Sequence, residues 1–284
     1  MNDLNNRVNR VGCSSRCLSF ALVFMALILQ VRAQTYTLTD ANSSAMIQPN
    51  SQNGMSSWVV DGVNQLNQQW FWYALGNTAP ASINTIGPAA VTPSGANEIT
   101  TAYGAAAFNL SVDYTLTGGA PGSGVSDMGE SIRINNTSAA PLSFRFYEYS
   151  DFDLQGVPGP AIVSLTGPRG AFNDAYQTAG TLALTETVVT PSASFGEANT
   201  EGGPGSTLAR LNGGLPMHLN DNTLAAGNVT WAFEWDLTIA PGSTALISKD
   251  KYLQTTVTPE PAVWGLLPLG GLMVSLIQRR RQKA

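Results

Sequence analysis

The stretch Val229-Thr230-Trp231-Ala232-Phe233-Glu234-Trp235-Asp236-Leu237-Thr238-Ile239 decides the fold class of this chain. Large apolar side chains occupy every second position, and smaller or polar side chains lie between them. Because successive side chains of a β-strand point to opposite faces, this alternation predicts a strand with one buried and one solvated face. At about 3.3 Å per residue the strand would extend about 36 Å, which is long for a globular domain.

A second alternating stretch covers residues 108–116. The turn sequence Ala240-Pro241-Gly242-Ser243 follows the first stretch, so we predict a hairpin between residues 229–239 and 244–248. Residues 252–257 would form a last strand. Further strands are predicted at residues 35–39, 56–60, 69–75, 131–135, 142–149, 162–165 and 182–189.

The pattern as a whole predicts an all-β fold. No part of residues 34–257 shows helical periodicity longer than about two turns, and loops rich in Gly and Pro separate the strands. About ten short strands joined by such loops favour a single β-sandwich domain with jelly-roll-like topology over residues 34–257.

Residues 1–33 have the organisation of a secretory signal peptide. Arg7, Arg10 and Arg16 precede the apolar run 18–29, and the predicted cut lies between Ala33 and Gln34. Both cysteines of the chain, at positions 13 and 17, lie in this leader. The exported domain would therefore contain no disulfide, no thiolate metal site and no cysteine nucleophile.

The domain itself is strongly acidic. Between residues 34 and 258 there are 6 Lys and Arg side chains against 17 Asp and Glu. Phosphate binding needs clustered basic side chains, so this balance argues against nucleic acid or anionic lipid as a partner. It fits an exported, solvated surface.

The C-terminal segment, residues 258–284, has the features of a membrane segment. After Pro259-Glu260-Pro261, residues 262–277 contain no charge and would form a helix of about 24 Å at about 1.5 Å per residue. The basic side chains beyond that helix would place the C-terminus in the cytoplasm by the positive-inside rule. These membrane-stop residues are Arg279, Arg280, Arg281 and Lys283.

The order of Pro259-Glu260-Pro261, a short apolar helix and an arginine cluster resembles the PEP-CTERM sorting signal of exported bacterial proteins. The resemblance implies cleavage near the tripeptide by a membrane enzyme, exosortase, after transient anchoring in the inner membrane. It also implies display at the cell surface or in an extracellular matrix that contains exopolysaccharide. The alternative is a permanent C-terminal membrane anchor.

Three carboxylates lie close together in sequence, at Glu148, Asp151 and Asp153. The simplest interpretation is a solvated strand end. Oxygen ligands at Asp151 and Asp153 could instead hold calcium, and two carboxylates facing each other about 5–10 Å apart could hydrolyse a glycoside. Neither alternative is specified by the spacing alone.

Aromatic residues gather at Trp70, Trp72 and Tyr73. Exposed aromatic faces on β-sandwiches can stack on sugar rings, although core packing is the ordinary place for strand tryptophans. The only histidine, His218, lies in a predicted loop with no nucleophile motif, so a surface position without catalytic role is expected.

The sequence thus favours an exported, non-enzymatic surface or matrix protein with a structural or adhesive role, without catalytic residues or a required cofactor. Its partners would be an exosortase-type enzyme, the membrane through the C-terminal helix, and exopolysaccharide. The alternatives are a carbohydrate-binding module that uses Trp70, Trp72 or Tyr73, and a glycan hydrolase that uses the carboxylates at residues 148–153.

Overall fold

The structure, a computed structural model, describes residues 34–255. The predicted signal peptide and sorting segment lie outside the described residues. Within residues 34–255 no helix is long and apolar enough to cross a membrane.

The described residues fold into two β-sheets of nine strands each. The first sheet has a main path of seven strands, with two short strands pairing at its side. In spatial order these are β1 (Tyr36–Asp40), β2 (Ser43–Gln48), β3 (Gly54–Val60), β5 (Gln68–Leu75), β11 (Leu142–Asp151), β17 (Val229–Ile239) and β15 (Phe195–Thr200), with β4 (Val63–Asn64) on β3 and β6 (Ala81–Ser82) on β5.

All nine strands of the second sheet follow one path. In spatial order these are β16 (Leu224–Gly227), β12 (Ala161–Thr166), β13 (Asp174–Ala179), β14 (Leu182–Thr190), β18 (Thr244–Thr255), β10 (Ser126–Asn136), β9 (Phe108–Gly118), β8 (Glu98–Gly104) and β7 (Ala90–Pro93). One short helix, α1 (Thr207–Leu211), and two 3-10 turns (Ile83–Thr85 and Leu154–Gly156) complete the described elements.

The two sheets pack face to face around a large aromatic core, which confirms the predicted all-β sandwich. Phe108 of the second sheet packs edge to face against Phe144 of the first sheet, with ring centroids 5.0 Å apart. The Trp58 indole crosses between the sheets and donates a hydrogen bond to Ser126 Oγ at 3.0 Å. Alternation in β9 places Phe108, Leu110, Val112, Tyr114 and Leu116 in this core.

The jelly-roll topology was not predicted correctly. A jelly roll has eight strands built from two Greek keys, whereas each sheet here has nine strands. In addition, four strands that are consecutive in sequence, β7, β8, β9 and β10, form an uninterrupted antiparallel meander. Apart from the short β3–β5 contact, every pairing is antiparallel.

The predicted hairpin after residue 239 was also wrong. β17 has the predicted bounds, but it pairs with β11 and β15, while β18 pairs with β10 and β14 in the other sheet. The turn at residues 240–243 therefore crosses from one sheet to the other. β18 is one strand of 12 residues, where the sequence predicted two shorter strands.

One face of β17 differs from its predicted environment. Thr230, Ala232 and Glu234 were expected in water, yet all three are buried. Residues 206–221, which include α1 and which we call the covering segment, lie over this outer face of the first sheet. The Leu219 amide of this segment, for example, donates to Glu234 at 2.8 Å. A third layer thus covers part of the sandwich.

Candidate functional site

The covering segment and the outer face of the first sheet enclose a cleft of about 250 Å³, which we call the small cleft. Its polar groups come from β11, β17 and the covering segment, and the 76–77 loop closes one side. The lining residues are Gly76, Asn77, Ser143, Phe144, Arg145, His218, Asp236, Leu237 and Thr238.

His218 and Glu234 form the central polar contact beside this cleft. His218 Nδ1 lies 2.7 Å from Glu234 Oε1, and the Leu219 amide donates to Oε2 of the same carboxylate at 2.8 Å. The imidazole is about half exposed, with 49% of its side-chain surface accessible, whereas the Glu234 side chain is fully buried. The exposed part of the ring faces the cleft, and the buried carboxylate orients it.

Burial raises the pKa of Glu234 to about 7, although the Leu219 amide and His218 both favour its charged form. The carboxyl can therefore exchange a proton near neutral pH, in direct contact with a half-exposed imidazole. Paired groups of this kind can hold a hydroxyl group or transfer a proton to a bound molecule.

Asp236 extends the polar set along β17. Its carboxylate is exposed and, with those of His218 and Glu234, provides three ligand atoms that all lie within 4.8 Å of one another. One imidazole nitrogen and two carboxylate oxygens are ligand types that zinc accepts. Among residues 34–255 this is the one group of three such side chains close enough to hold a metal.

Arg145 and Tyr147 fix the covering segment over the sheet. The Arg145 guanidinium donates to the carbonyl oxygens of Met217 at 2.7 Å, Gly76 at 3.0 Å and Thr78 at 2.9 Å. The Tyr147 hydroxyl donates to the same Met217 carbonyl at 3.0 Å. Both loops that border the small cleft are therefore tied to β11, and His218 follows the tethered Met217 directly.

Glu197 holds the covering segment through three further contacts. Its carboxylate accepts a hydrogen bond from the Asn220 amide at 2.9 Å and from Thr207 Oγ1 at 2.7 Å, and it forms an ion pair with Arg210. The carboxylate is fully buried. Both α1 and the loop after it are thus fixed to β15.

A second and larger cleft lies on the other side of His218. Phe195, which lines it, packs against the His218 ring with centroids 4.9 Å apart. This large cleft has a volume of about 700 Å³, within the range of about 300–1,000 Å³ usual for small-molecule sites. Its lining residues are Leu165, Thr166, Gly167, Pro168, Arg169, Gly170, Ala171, Phe172, Ser194, Phe195, Asp221 and Thr223.

The aromatic residues singled out in the sequence lie elsewhere. Trp70 and Trp72 have no exposed surface, and each indole donates to a neighbouring side chain, Ser82 and Asn212 respectively. Tyr73 is partly buried and stacks on Phe144 in the core. Trp70 and Trp72 therefore offer no free face on which a sugar ring could stack, and stacking on Tyr73 stays a prediction.

The three clustered carboxylates do not converge either. Glu148 points into the sandwich, while Asp151 lies on the opposite face of β11 and binds the Asn67 side-chain amide at 2.9 Å. Asp153 follows the end of the strand. Glu148 and Asp151 therefore cannot form the facing pair of a glycosidase. Calcium at Asp151 and Asp153 stays a prediction; burial raises the pKa of Asp151 to about 7.

Sequence reasoning missed the pairing of His218 with Glu234 and Asp236. The available signal was the pair of acidic residues at alternate positions of an otherwise apolar strand. That pattern places both carboxylates on one face. It does not show that a distant segment would bring the only histidine to them.

Comparison with known proteins agrees with the fold. No protein-family model and no curated protein matches the sequence. The structure is similar to a bacterial glucoamylase complexed with acarbose, with TM-score 0.55, 10% identity, and coverage of 84% of this chain and 34% of that one. The chain thus spans about a third of the glucoamylase.

Two smaller proteins match over nearly their whole length. A candidate aldose 1-epimerase from Escherichia coli has TM-score 0.54 and 10% identity, over 78% of this chain and 99% of that chain. A protein from Synechocystis has TM-score 0.51 and 12% identity, over 79% of this chain and 96% of that chain. At these identities the likeness shows the β-sandwich fold alone.

Proposed function

We propose that this protein is an exported carbohydrate-binding protein whose ligand lies in the clefts on either side of His218. The observation that carries the proposal is the arrangement of Phe195, His218 and Asp236 along one surface. The aromatic ring offers an apolar face to the C–H side of a sugar, and the imidazole and carboxylate bind hydroxyl groups. The glucoamylase and aldose 1-epimerase names of two proteins with this fold support the same ligand class.

The binding test is calorimetric titration of the purified full-length protein with mono- and oligosaccharides. We expect measurable affinity for at least one glycan, and a loss of about 10-fold or more in Asp236→Asn and in Phe195→Ala, because each removes a direct contact. Glu98→Gln, an exposed carboxylate on β8 in the other sheet, is the matched control. Absence of binding to every glycan, or equal affinity in all three variants, would refute the proposal.

Catalysis on a sugar is the second candidate function. The contact between a buried carboxyl with a pKa near 7 and a half-exposed imidazole favours it, because such a pair can take and return a proton at neutral pH. NMR of sugars with and without the protein tests for a change at the anomeric carbon. Turnover that survives Glu234→Gln unchanged would exclude this pair as its source.

The proposed place of action is based on the sequences of the two terminal segments and is part of the same proposal. We infer removal of residues 1–33, transient anchoring through the C-terminal helix and cleavage near Pro259-Glu260-Pro261 by an exosortase-type enzyme. The protein would then act at the cell surface or in an exopolysaccharide matrix. The test is the C-terminal peptide of the protein from its host, with and without active exosortase. A terminus still at Ala284 would mean a permanent anchor.

A further inference from the structure

Five ionisable side chains meet in the interior between the two sheets. Four come from the second sheet and one from the first, and the side chain of each has no exposed surface. We call this set the buried ion cluster; it contains Glu130 of β10, Glu148 of β11, Glu186 of β14, and Lys249 and Lys251 of β18.

Strand register brings these groups together. Glu130 lies directly opposite Lys249 across the β10–β18 pair, and Glu186 lies opposite Lys251 across the β14–β18 pair. Directly opposite residues of antiparallel strands have Cβ atoms about 4.5–5.5 Å apart. Glu148 reaches the same point from the first sheet.

The lysine nitrogens are in direct contact with the carboxylates. Lys249 Nζ contacts both Glu130 Oε2 and Glu148 Oε1. Lys251 Nζ lies 2.9 Å from the same Glu130 oxygen and 2.7 Å from the same Glu148 oxygen. Glu186 is farther from the lysines, at 3.3 and 3.4 Å, and its other oxygen accepts from the Trp231 indole at 2.7 Å.

The side chains of the cluster are shielded from the solvent-accessible surface, and some polar atoms there have no partner within the described residues. The Phe71 ring centroid lies 5.3 Å from Lys249 Nζ. Glu130 Oε1, Glu148 Oε2 and the Tyr114 hydroxyl are buried and have no hydrogen-bond partner within the described part of the chain. Holding charges in such a place costs several kcal/mol per ion, because mutual attraction repays desolvation only when geometry and hydrogen bonding are complete.

Condensation of a lysine with a glutamate requires the uncharged form of each group. Transfer of one proton from a lysine ammonium to a glutamate carboxylate gives an amine and a carboxylic acid, which need less solvation than the ion pair. An uncharged amine is a nucleophile, and an uncharged carboxyl is its electrophile. Two such groups held in contact correspond to an effective concentration of about 10⁵–10⁸ M in well-oriented cases.

We propose that Lys249 and Glu130 condense to an intramolecular isopeptide bond. Lys249 Nζ bonds to Glu130 Cδ, and the bond from Cδ to one carboxyl oxygen breaks. One amine hydrogen stays on the amide nitrogen and the other leaves with the departing hydroxyl as water. The step consumes no oxidant or reductant, and its only by-product is that water molecule.

Glu148 is the group placed to move the proton. Its Oε1 contacts both lysine nitrogens, and the Gln69 side-chain amide donates to the same oxygen at 3.1 Å, which holds it in position. Burial raises the pKa of Glu148, with the Glu186 charge acting in the same direction. It can accept the proton from Nζ and deliver it to the leaving oxygen.

The bond would replace two buried charges by a neutral amide and join two central strands covalently. In a domain without cysteine, it would serve where an exported protein commonly uses a disulfide. The proposal is independent of carbohydrate binding, since the cluster lies inside the sandwich and none of its five residues lines either cleft.

The experiment is a peptide map of the purified full-length protein, denatured before digestion with trypsin. We expect a branched peptide in which Lys249 joins Glu130, with the summed mass of the two linear peptides less one water, and no cleavage after Lys249. This result does not depend on processing at the termini. Linear peptides that carry a free Lys249 amine and an intact Glu130 would overturn the proposal.

A variant tests the assignment to one lysine. Lys249→Met removes the nucleophilic amine and replaces it with an uncharged side chain of similar length, so the branched peptide should disappear. A branch at Glu130 that persists in this variant would overturn the assignment. The wild-type map decides whether the bond exists even if the variant does not fold.

Discussion

Glu130 and Lys249 lie directly opposite each other on two neighbouring central strands, and neither side chain is exposed to water. Salt bridges of globular proteins are mostly at the surface, where they contribute little. Here the contact lies within the second sheet and faces the interior of the sandwich, near tryptophan and phenylalanine rings. The stability of this interior therefore depends on how completely its charges are matched.

Replacement of Lys251 should destabilise the fold strongly. Lys251→Met leaves the glutamates of the buried ion cluster with one cation fewer, and removal of one partner from a buried pair costs about 3–5 kcal/mol. Arg133→Met is the matched control, because Arg133 pairs with Asp113 at the surface with about half of its side chain exposed. We expect at most about 1 kcal/mol for that change. Urea unfolding measures both; equal effects would contradict the argument.

Stability should fall as pH rises towards neutrality. Burial raises the pKa of Asp127, Asp151 and Glu234 to about 7 in each case, from ordinary values of 3.8, 3.8 and 4.5. At pH values between the ordinary and the raised pKa, the folded state binds more protons than the unfolded state. The free energy of unfolding therefore decreases with increasing pH. We expect a lower urea midpoint at pH 8 than at pH 5.

Asp127→Asn tests which groups cause this decrease of the free energy of unfolding with pH. This carboxyl lies beside Asp250, whose charge adds to the effect of burial. The amide cannot ionise, so the variant should lose less stability between pH 5 and pH 8 than the wild type. An unchanged slope would assign the pH dependence to other groups.

Gly118 should not tolerate a side chain. An added Cβ would lie 2.0 Å from the Asp40 carbonyl oxygen, which is backbone and cannot rotate away. Gly118→Ala should therefore lower the free energy of unfolding by about 1–3 kcal/mol, the usual effect of overpacking. Gly205→Ala is the control, since nothing lies within 4 Å of its added Cβ. Urea unfolding of both variants checks the difference.

Trp72 should hold the covering segment in place. Its indole donates to Asn212 Oδ1 at 3.1 Å, next to α1. Trp72→Phe removes that donor, so amide exchange should accelerate within residues 206–221. Trp70→Phe is an equal change in size that breaks a bond to Ser82 instead. Exchange in the covering segment that responds equally to both variants would show a general loosening of the first sheet.

The sequence predicted the strands whose inner positions are all apolar. β17 has the predicted bounds and β9 begins at the predicted Phe108, because aromatic and branched residues alternate without interruption. β18 was divided in two because Lys249 and Lys251 occupy its inner face. Lysines at these inner positions interrupt the alternation of apolar residues, as the residues of a loop would. Only the glutamates of three other strands explain why these positions lie inside.

The sequence predicted the candidate site less well than it predicted the strands. Glu234 was assigned to a solvated face, and His218 to a loop without a role, because each was judged from its neighbours in sequence. The covering segment joins them, and its position depends on contacts such as Arg145 to Met217, which are 72 residues apart. Local patterns contain no information on such pairings.

The position of β18 has a consequence for how the protein is made. This strand lies between β10 and β14 in the middle of the second sheet, yet it is the last strand of the described chain and ends at Thr255. While the chain emerges from a ribosome or a translocation channel, the second sheet lacks its central member until nearly all of the domain has appeared. Pairings that span over 100 residues close slowly. The second sheet would therefore gain its central strand only after nearly all of the domain has been synthesised.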